Sequence, residues 1–273
     1  MFHAKSGVVT LPDGAMEYIR FGSGPRKLVM LPGLGTGLRS IRGTELPMAL
    51  MYRAFAKEHT VWVFNRRSPL AVGSTTRDMA RDTALAMDEL GIERADVFGV
   101  SMGGMIAQWL AVDHPERVAR LVLTVTSSRP NPILREAIGE WMSCAERGDH
   151  AGFMESSLRR IYSAGYYRRN KWLAPLVGAL TKPKSYGPFF IQAQACLDHD
   201  CYDALPAIRA RTLVLGGEQD NCLGGGASRE IAGRIGGAQL RMYPEWGHGL
   251  YEEEKTFNRT VLDFLRDGTD AES

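Results

Sequence analysis

A serine between two glycines is the residue of this 273-residue chain best suited to nucleophilic chemistry. Residues 99–103 read Gly-Val-Ser-Met-Gly, the pattern G-x-S-x-G with Ser101 at its centre. A buried-type strand precedes the motif and a helical pattern follows it, which is the context that a nucleophile turn requires. The chain passes close to itself in such a turn, so Gly99 and Gly103 supply positions without Cβ atoms. The alternative is a chance glycine–serine turn at the end of a strand.

The segments around Ser101 alternate between strand and helix patterns. Strand-forming runs at 8–11 and 16–21, separated by Pro-Asp-Gly, predict an opening hairpin. Further strands are predicted at 27–31, 60–64, 95–100, 119–125, 211–216 and 239–243, and helices over about 45–58, 76–90, 102–114, 227–235 and 252–266. Strands without a period of two, separated by helices, indicate a parallel sheet covered on both faces.

Taken together, these features resemble the α/β-hydrolase family, specifically its lid-bearing, cofactor-free serine hydrolases of the esterase, lactonase and perhydrolase kind. The resemblance covers nearly the whole chain. It rests on Leu-Pro-Gly-Leu-Gly at 31–35, the serine motif extended to Gly104, His-Pro-Glu-Arg-Val at 114–118, Gly-Glu-Gln-Asp at 217–220 and Gly-His at 247–248. It implies an α/β fold with an eight-stranded, mostly parallel sheet, flanking helices and a helical cap inserted after the sixth strand.

The resemblance also implies a catalytic triad in the chain order nucleophile, acid, histidine, which here gives Ser101, Asp220 and His248. His248 follows the last predicted strand, at the carboxyl edge of the sheet where ligands of open α/β sheets bind. Asp220 follows the predicted strand at 211–216 and would accept the imidazole Nδ1–H. Glu218, two residues earlier, is the nearest rival for the acid, and a turn or capping role is the alternative for Asp220.

An oxyanion hole needs two backbone N–H groups, one after the nucleophile and one from the loop after the third strand. The first is that of Met102, and the family pattern gives Leu34 as the second. The chain departs from the family at three places, one of which is the run Gly-Gly-Gly at 224–226, soon after Asp220. It also has Leu-Pro-Gly where many relatives have His-Gly, and Asn-Arg-Arg-Ser at 65–68 where relatives often have Asp-x-Arg-Gly. The roles of Arg66 and Arg67 stay open.

The alternating pattern is interrupted between the sixth and seventh predicted strands. We predict a core domain formed by residues 1–129 and 207–273, with a helical cap over 130–206. Between residues 156 and 197 the cap holds seven basic residues and no acidic ones, together with seven aromatic residues. One interpretation is an aromatic pocket with a cationic rim that favours anionic substrates. The other is an amphipathic cap whose basic residues face water.

Composition excludes several classes of protein. The net charge of +2 gives no support to nucleic-acid binding, and no apolar run approaches the ~18 residues that a membrane span needs. The first residues lack the apolar segment of a secretory signal, and the four cysteines show no spacing typical of zinc ligands or of a disulfide scaffold. These features predict a cytoplasmic protein. The resemblance implies a small-molecule substrate, no metal and no organic cofactor, and it says nothing of the oligomeric state.

The favoured function is therefore hydrolysis of a carboxylic ester or lactone through an acyl-enzyme on Ser101. Carbon–carbon bond hydrolysis, perhydrolysis and acyl transfer use the same residues and stay open. Haloalkane dehalogenase and epoxide hydrolase activities are disfavoured, because relatives with those activities have aspartate at the position of Ser101. A binding protein that kept the triad for recognition is the alternative from another class.

Overall fold

The computed structural model describes residues 2–35, 40–173, 178 and 182–267. Eight strands share one sheet. They are β1 Lys5–Leu11, β2 Gly14–Phe21, β3 Arg26–Leu31, β4 His59–Ser68, β5 Ala95–Val100, β6 Val118–Thr124, β7 Arg211–Gly217 and β8 Gln239–Tyr243. Their spatial order is β1-β2-β4-β3-β5-β6-β7-β8. Only the pairings β1–β2 and β2–β4 are antiparallel, so the predicted hairpin and the mostly parallel sheet are both confirmed.

Helices follow most of the parallel strands. They are α1 Glu45–Met51, α2 Thr76–Glu89, α3 Met102–Asp113, α4 Pro132–Glu146, α5 His150–Ile161, α6 Ala164–Asn170, α7 Gly187–Leu197, α8 Gly225–Arg234, α9 Leu250–Glu253 and α10 Phe257–Arg266. Short 3₁₀ helices span Pro115–Arg117, Lys171–Leu173 and Tyr202–Ala207.

Two predicted helices were too long. The helix predicted over 45–58 ends at Met51, and i→i−3 hydrogen bonds such as Phe55 N–H to Tyr52 O replace the helical pattern beyond it. The helix predicted over 252–266 is two helices, because the backbone of Glu254 is extended and its carboxylate accepts hydrogen bonds from the N–H and hydroxyl of Thr256. Local side-chain bonds of this kind compete with helix continuation.

The sheet is buried on both faces. Alternate residues of β5 point to opposite sides, so Val97 joins one hydrophobic cluster and Phe98 the other. The first cluster includes Ala107 of α3, and the second includes Phe257 and Val261 of α10. Burial on both faces explains why the parallel strands read as continuous apolar runs.

Between β6 and β7 the described residues form four α-helices, α4 to α7, and no strand. Side chains from three of them, including Trp141 of α4, Phe153 of α5 and Phe189 of α7, line the same cavity as Ser101. They therefore lie over the carboxyl edge of the sheet. The division into a core domain and a cap at residues 130 and 206 stays a prediction.

Within the described residues, no helix has both the length and the apolar character needed to span a bilayer.

Buried His199 couples the stability of the fold to pH. Its Nδ1 lies 2.8 Å from the Thr76 hydroxyl, and burial lowers the pKa of its imidazole to about 3. In the unfolded chain the His199 imidazole binds a proton near pH 6.5, whereas in the folded chain it does so only near pH 3. The stability that the fold has above pH 6.5 is therefore lost progressively between pH 6.5 and about 3. We expect the loss to reach about 2 kcal/mol by pH 5.

The variant His199→Asn keeps a polar side chain but does not titrate, which makes it the matched comparison. Urea unfolding at about pH 7.5 and about pH 5 measures the effect. We expect the variant to lose less stability than the wild type between those two pH values, and equal losses would contradict the assignment.

Candidate active site

Ser101 lies in the tight turn between β5 and α3. Its backbone has φ 54° and ψ −124°, a left-handed φ that is rare for a residue other than glycine. Hydrogen bonds with the end of β6 and the residues after it hold this geometry, because Ser101 N–H donates to Thr124 O at 2.9 Å and the Thr126 hydroxyl donates to Ser101 O at 2.7 Å. Backbone strain that surrounding bonds maintain in this way is typical of functional turns.

Neighbouring backbone atoms lie so close to the two glycines of the motif that neither position has room for a Cβ atom. A Cβ atom on Gly99 would lie 2.6 Å from Gly103 O, and one on Gly103 would lie 1.8 Å from Leu31 O. Both distances are shorter than real Cβ contacts allow. The G-x-S-x-G spacing thus follows from the packing of α3 against β5 and the end of β3.

His248 and Asp220 are in contact. The Nδ1 of His248 lies 2.9 Å from Asp220 Oδ2, and both side chains are buried, with 5% and 6% of their surfaces exposed. The other oxygen, Oδ1, accepts the N–H groups of Cys222 and Leu223 at 2.8 and 2.9 Å. Three donors therefore orient the carboxylate of Asp220, and its bond to Nδ1–H leaves Nε2 of His248 as the acceptor.

Glu218, the rival acid, points elsewhere. Its carboxylate forms an ion pair with Arg229 on the surface, where both side chains are partly exposed. It cannot serve His248 from there without breaking that pair. Of these two carboxylates, Asp220 is the one that the structure places against His248.

Ser101 and His248 line a common cavity of about 520 Å³. Leu34 lines it as well, and the preceding residue, Gly33, packs against Ser101, since a Cβ on Gly33 would lie 3.3 Å from Ser101 Cβ. Met102 is the first residue of α3, where backbone N–H groups have no intrahelical acceptor. The structure therefore brings together the backbone segments of all five residues that the sequence indicated: Leu34, Ser101, Met102, Asp220 and His248.

A second, much smaller pocket adjoins the same residues. It measures about 20 Å³ and is lined by Leu34, Ser101 and His248 together with two buried thiols, Cys196 and Cys222. A space of this size holds about one water molecule. The large cavity is therefore where a substrate can fit.

The pairing of His150 with Tyr186 on the cap side of the large cavity was not found from the sequence. His150, the first residue of α5, has its Nδ1 2.5 Å from the hydroxyl of Tyr186, and its ring stacks on Phe153. His150 and Tyr186 both line the cavity. They are 36 residues apart in the chain, so no local pattern could have paired them.

The seven basic residues between positions 156 and 197 of the predicted cap are not among the residues that line the cavity. Arg159 and Arg160 pair with acidic side chains of α4, Arg159 with Glu140 and Arg160 with both Glu136 and Glu140. The others are exposed: Arg168, Arg169, Lys171, Lys182 and Lys184. Of the residues that the structure describes, no lysine or arginine lines the cavity. This arrangement is compatible with the interpretation in which the basic residues of the predicted cap face water.

One group of metal-ligating side chains is found in the described part of the chain. Ligand atoms of Asp220, Cys222 and His248 lie within 4.8 Å of one another. Asp220 and His248 already bind each other, and burial raises the pKa of the Cys222 thiol well above its ordinary value. A metal would require the thiolate, so this cluster fits a hydrogen-bonded acid–histidine pair better than a metal centre.

An open parallel sheet with a serine turn, an acid and a histidine at its carboxyl edge defines the class of α/β-hydrolases. The family model described as alpha/beta hydrolase fold matches residues 27–255. The chain belongs to this family and is a hydrolase.

Individual relatives agree with that assignment. The chain is 30% identical over 266 residues to "Putative carbamate hydrolase RutD" of Caulobacter sp. (strain K31), covering 96% of this chain and 98% of the relative. It is 32% identical over 253 residues to 2-hydroxymuconate semialdehyde hydrolase of Pseudomonas sp. (strain CF600), covering 87% and 86%. Among solved structures, MGS-M2, an alpha/beta hydrolase enzyme from a Medee basin deep-sea metagenome library, matches with a TM-score of 0.84 and 22% identity, covering 95% and 97%.

Proposed function

We propose that the protein is a serine hydrolase that cleaves a carboxylic ester or lactone of a small molecule through an acyl-enzyme. The observation that carries the proposal is the buried His248–Asp220 hydrogen bond at the cavity that Ser101 also lines. A histidine held in one tautomer beside a strained serine is the arrangement that activates a hydroxyl as nucleophile.

In the acylation step the Ser101 Oγ attacks the substrate carbonyl carbon while His248 Nε2 takes the hydroxyl proton. The carbonyl oxygen becomes an oxyanion, for which the N–H groups of Leu34 and Met102 are the proposed donors. Collapse of this intermediate expels the alkoxide, which receives the proton from His248. Asp220 stays ionised and stabilises the imidazolium throughout.

In the deacylation step the same groups act on water. His248 Nε2 removes a proton from the water as its oxygen attacks the acyl carbon. The second tetrahedral intermediate then releases Ser101, which recovers its proton from His248. The products are a carboxylic acid and an alcohol, or one hydroxy acid when the substrate is a lactone.

The cavity favours a neutral, largely apolar substrate. Its walls include Met30, Met48, Trp141, Phe153 and Phe189. Besides the proposed triad, the polar side chains among the described lining residues are neutral hydroxyls, the Trp141 indole, His150 and the acidic Glu252. A substrate carboxylate bound there would face no described arginine or lysine, and a buried unpaired charge is costly. The support is therefore for neutral esters rather than anionic ones.

Hydrolysis of a carbon–carbon bond is the second candidate, favoured by the relative named 2-hydroxymuconate semialdehyde hydrolase. That substrate carries a carboxylate, for which the described walls offer no cationic partner. Carbamate cleavage, suggested by the name of the other relative, is acyl transfer through the same groups and stays open. A non-catalytic binding role would not require the hydrogen-bonded pair of Asp220 and His248.

A substrate panel tests the proposal. It compares p-nitrophenyl butyrate with the p-nitrophenyl monoester of succinate, which has an acyl chain of similar length ending in a carboxylate, and with 2-hydroxymuconate semialdehyde. We expect kcat/KM for the neutral ester to exceed that for each anionic substrate by roughly a hundredfold, since the carboxylate loses its hydration without gaining a partner.

If kcat/KM were higher for 2-hydroxymuconate semialdehyde than for the neutral ester, the proposed activity would be carbon–carbon bond hydrolysis instead of ester hydrolysis. Absence of turnover on every substrate, with no labelling by a fluorophosphonate, would favour the binding role.

A further inference from the structure

Arg66 near the carboxyl end of β4 has no part in the proposed triad or oxyanion hole, yet it is buried against the loop that carries Leu34. Only 4% of its surface is exposed. Its Nη2 donates a 2.5 Å hydrogen bond to the carbonyl oxygen of Pro32. Pro32 is two residues before Leu34, the proposed oxyanion donor of the loop after β3.

The Pro32 carbonyl lies between Arg66 and the nucleophile helix. A Cβ built on Gly103 of α3 would lie 2.6 Å from that oxygen, so the loop packs directly on the first turn of α3. The next residue of the loop, Gly33, packs against Ser101. The guanidinium of Arg66 therefore holds the loop against α3 at Pro32, next to the residue that contacts Ser101.

The positive charge of Arg66 has no close counter-charge. No carboxylate acts on it among the residues that the structure describes, and its Nε–H has no hydrogen-bond partner there. Burial lowers the pKa of the guanidinium to about 10, so it stays charged at neutral pH. The neighbouring Cys196 thiol does not compensate, because burial raises its pKa to about 12.

A buried cation without an anionic partner is unfavourable for stability. The arrangement is favourable for a reaction in which negative charge develops nearby, since preorganised positive charge and fixed donors stabilise that charge without reorganisation.

We propose that Arg66 is a positioning residue of the oxyanion hole: through the Pro32 carbonyl it fixes the loop that presents the Leu34 N–H, and its charge favours the oxyanion. This inference rests on the proposed serine-hydrolase function.

Arg67 on the same strand is the matched control. Its Nε lies 2.9 Å from Asp82 Oδ2, and its Nη1 donates to the carbonyl oxygens of Asp13 and Pro69. Those contacts tie β4 to α2 and to the β1–β2 turn, away from the cavity. Arg67 is therefore expected to act on stability alone.

The test compares Arg66→Met, Arg66→Lys and Arg67→Met with the wild type. For each protein, kcat and KM are measured on p-nitrophenyl butyrate. The inhibition constant of an alkyl trifluoromethyl ketone, which adds to the serine to form an oxyanion adduct, and the thermal midpoint are also measured.

We expect Arg66→Met to lose roughly 10- to 100-fold in kcat, less than the full loss of one oxyanion donor, with KM changed by less than about threefold. The inhibition constant should rise by the same factor as kcat/KM falls, while the thermal midpoint stays equal or rises. Arg66→Lys, which keeps a cationic donor, should recover part of the loss. Arg67→Met should lower the midpoint and leave the inhibition constant near the wild-type value.

The inference is wrong if Arg66→Met binds the ketone as tightly as the wild type. If that variant does not fold, Arg66→Lys provides the test. Unchanged kcat and unchanged ketone binding in Arg66→Lys would equally contradict the inference. Failure of the underlying function looks different: the wild type itself would then neither hydrolyse the ester nor bind the ketone.

Discussion

Replacement of Ser101 by alanine is expected to lower kcat for ester hydrolysis by roughly 10⁶-fold, the loss seen when a triad nucleophile is removed. Ser101 is the proposed nucleophile because no other serine or threonine in the described part of the chain has a left-handed φ, and because it shares its cavity with His248 of the acid–histidine pair. Steady-state kinetics on p-nitrophenyl butyrate, with the thermal midpoint measured in parallel, checks the result.

Ser157 provides the control, because it lines the same cavity but its hydroxyl donates to Phe153 O on its own helix. Ser157→Ala should retain kcat within about threefold, as expected for a residue outside the triad. Retention of more than about a hundredth of the activity by Ser101→Ala would contradict the assignment of the nucleophile.

Replacement of Asp220 by asparagine is expected to lower kcat by about 10⁴-fold while the fold persists. The asparagine oxygen can still accept the N–H groups of Cys222 and Leu223, which leaves its NH₂ group facing His248. An NH₂ donor there forces the imidazole proton onto Nε2, and that nitrogen can then no longer take the proton of Ser101. The loss should appear in kcat far more than in KM.

Glu218→Gln is the matched control, since it removes the same charge two residues away. Its carboxylate pairs with Arg229 at the surface, so activity should stay within about threefold of the wild type. If Glu218→Gln were the more damaging of the two changes, the acid would have been assigned to the wrong residue.

The location of the site could be predicted because it depends on local order along the chain. Strand, turn and helix around Ser101 are consecutive, and the carboxyl ends of parallel strands meet at one edge, so Asp220 and His248 are placed there by topology. The choice between Asp220 and Glu218 needed the structure. Both follow the predicted strand at 211–216, and the surface pair with Arg229 that occupies Glu218 is not visible in the sequence.

Features set by contacts between distant segments could not be predicted. The roles of Arg66 and Arg67 stayed open because two adjacent arginines on one strand point to opposite environments, one buried against Pro32 and one paired with Asp82. The His150–Tyr186 pair depends on the packing of α5 against α7. Helix ends were misjudged where a local side-chain bond, as at Glu254, ended the helix within a helical pattern.

Covalent labelling tests the central claim most directly. After treatment with a fluorophosphonate and digestion, peptide mass spectrometry should find one label per chain, on Ser101, with ester hydrolysis lost in proportion to labelling. His248→Gln should label far more slowly, because its side chain cannot remove the serine proton as an imidazole does. Label on another residue, or full hydrolytic activity in protein labelled on Ser101, would contradict the account.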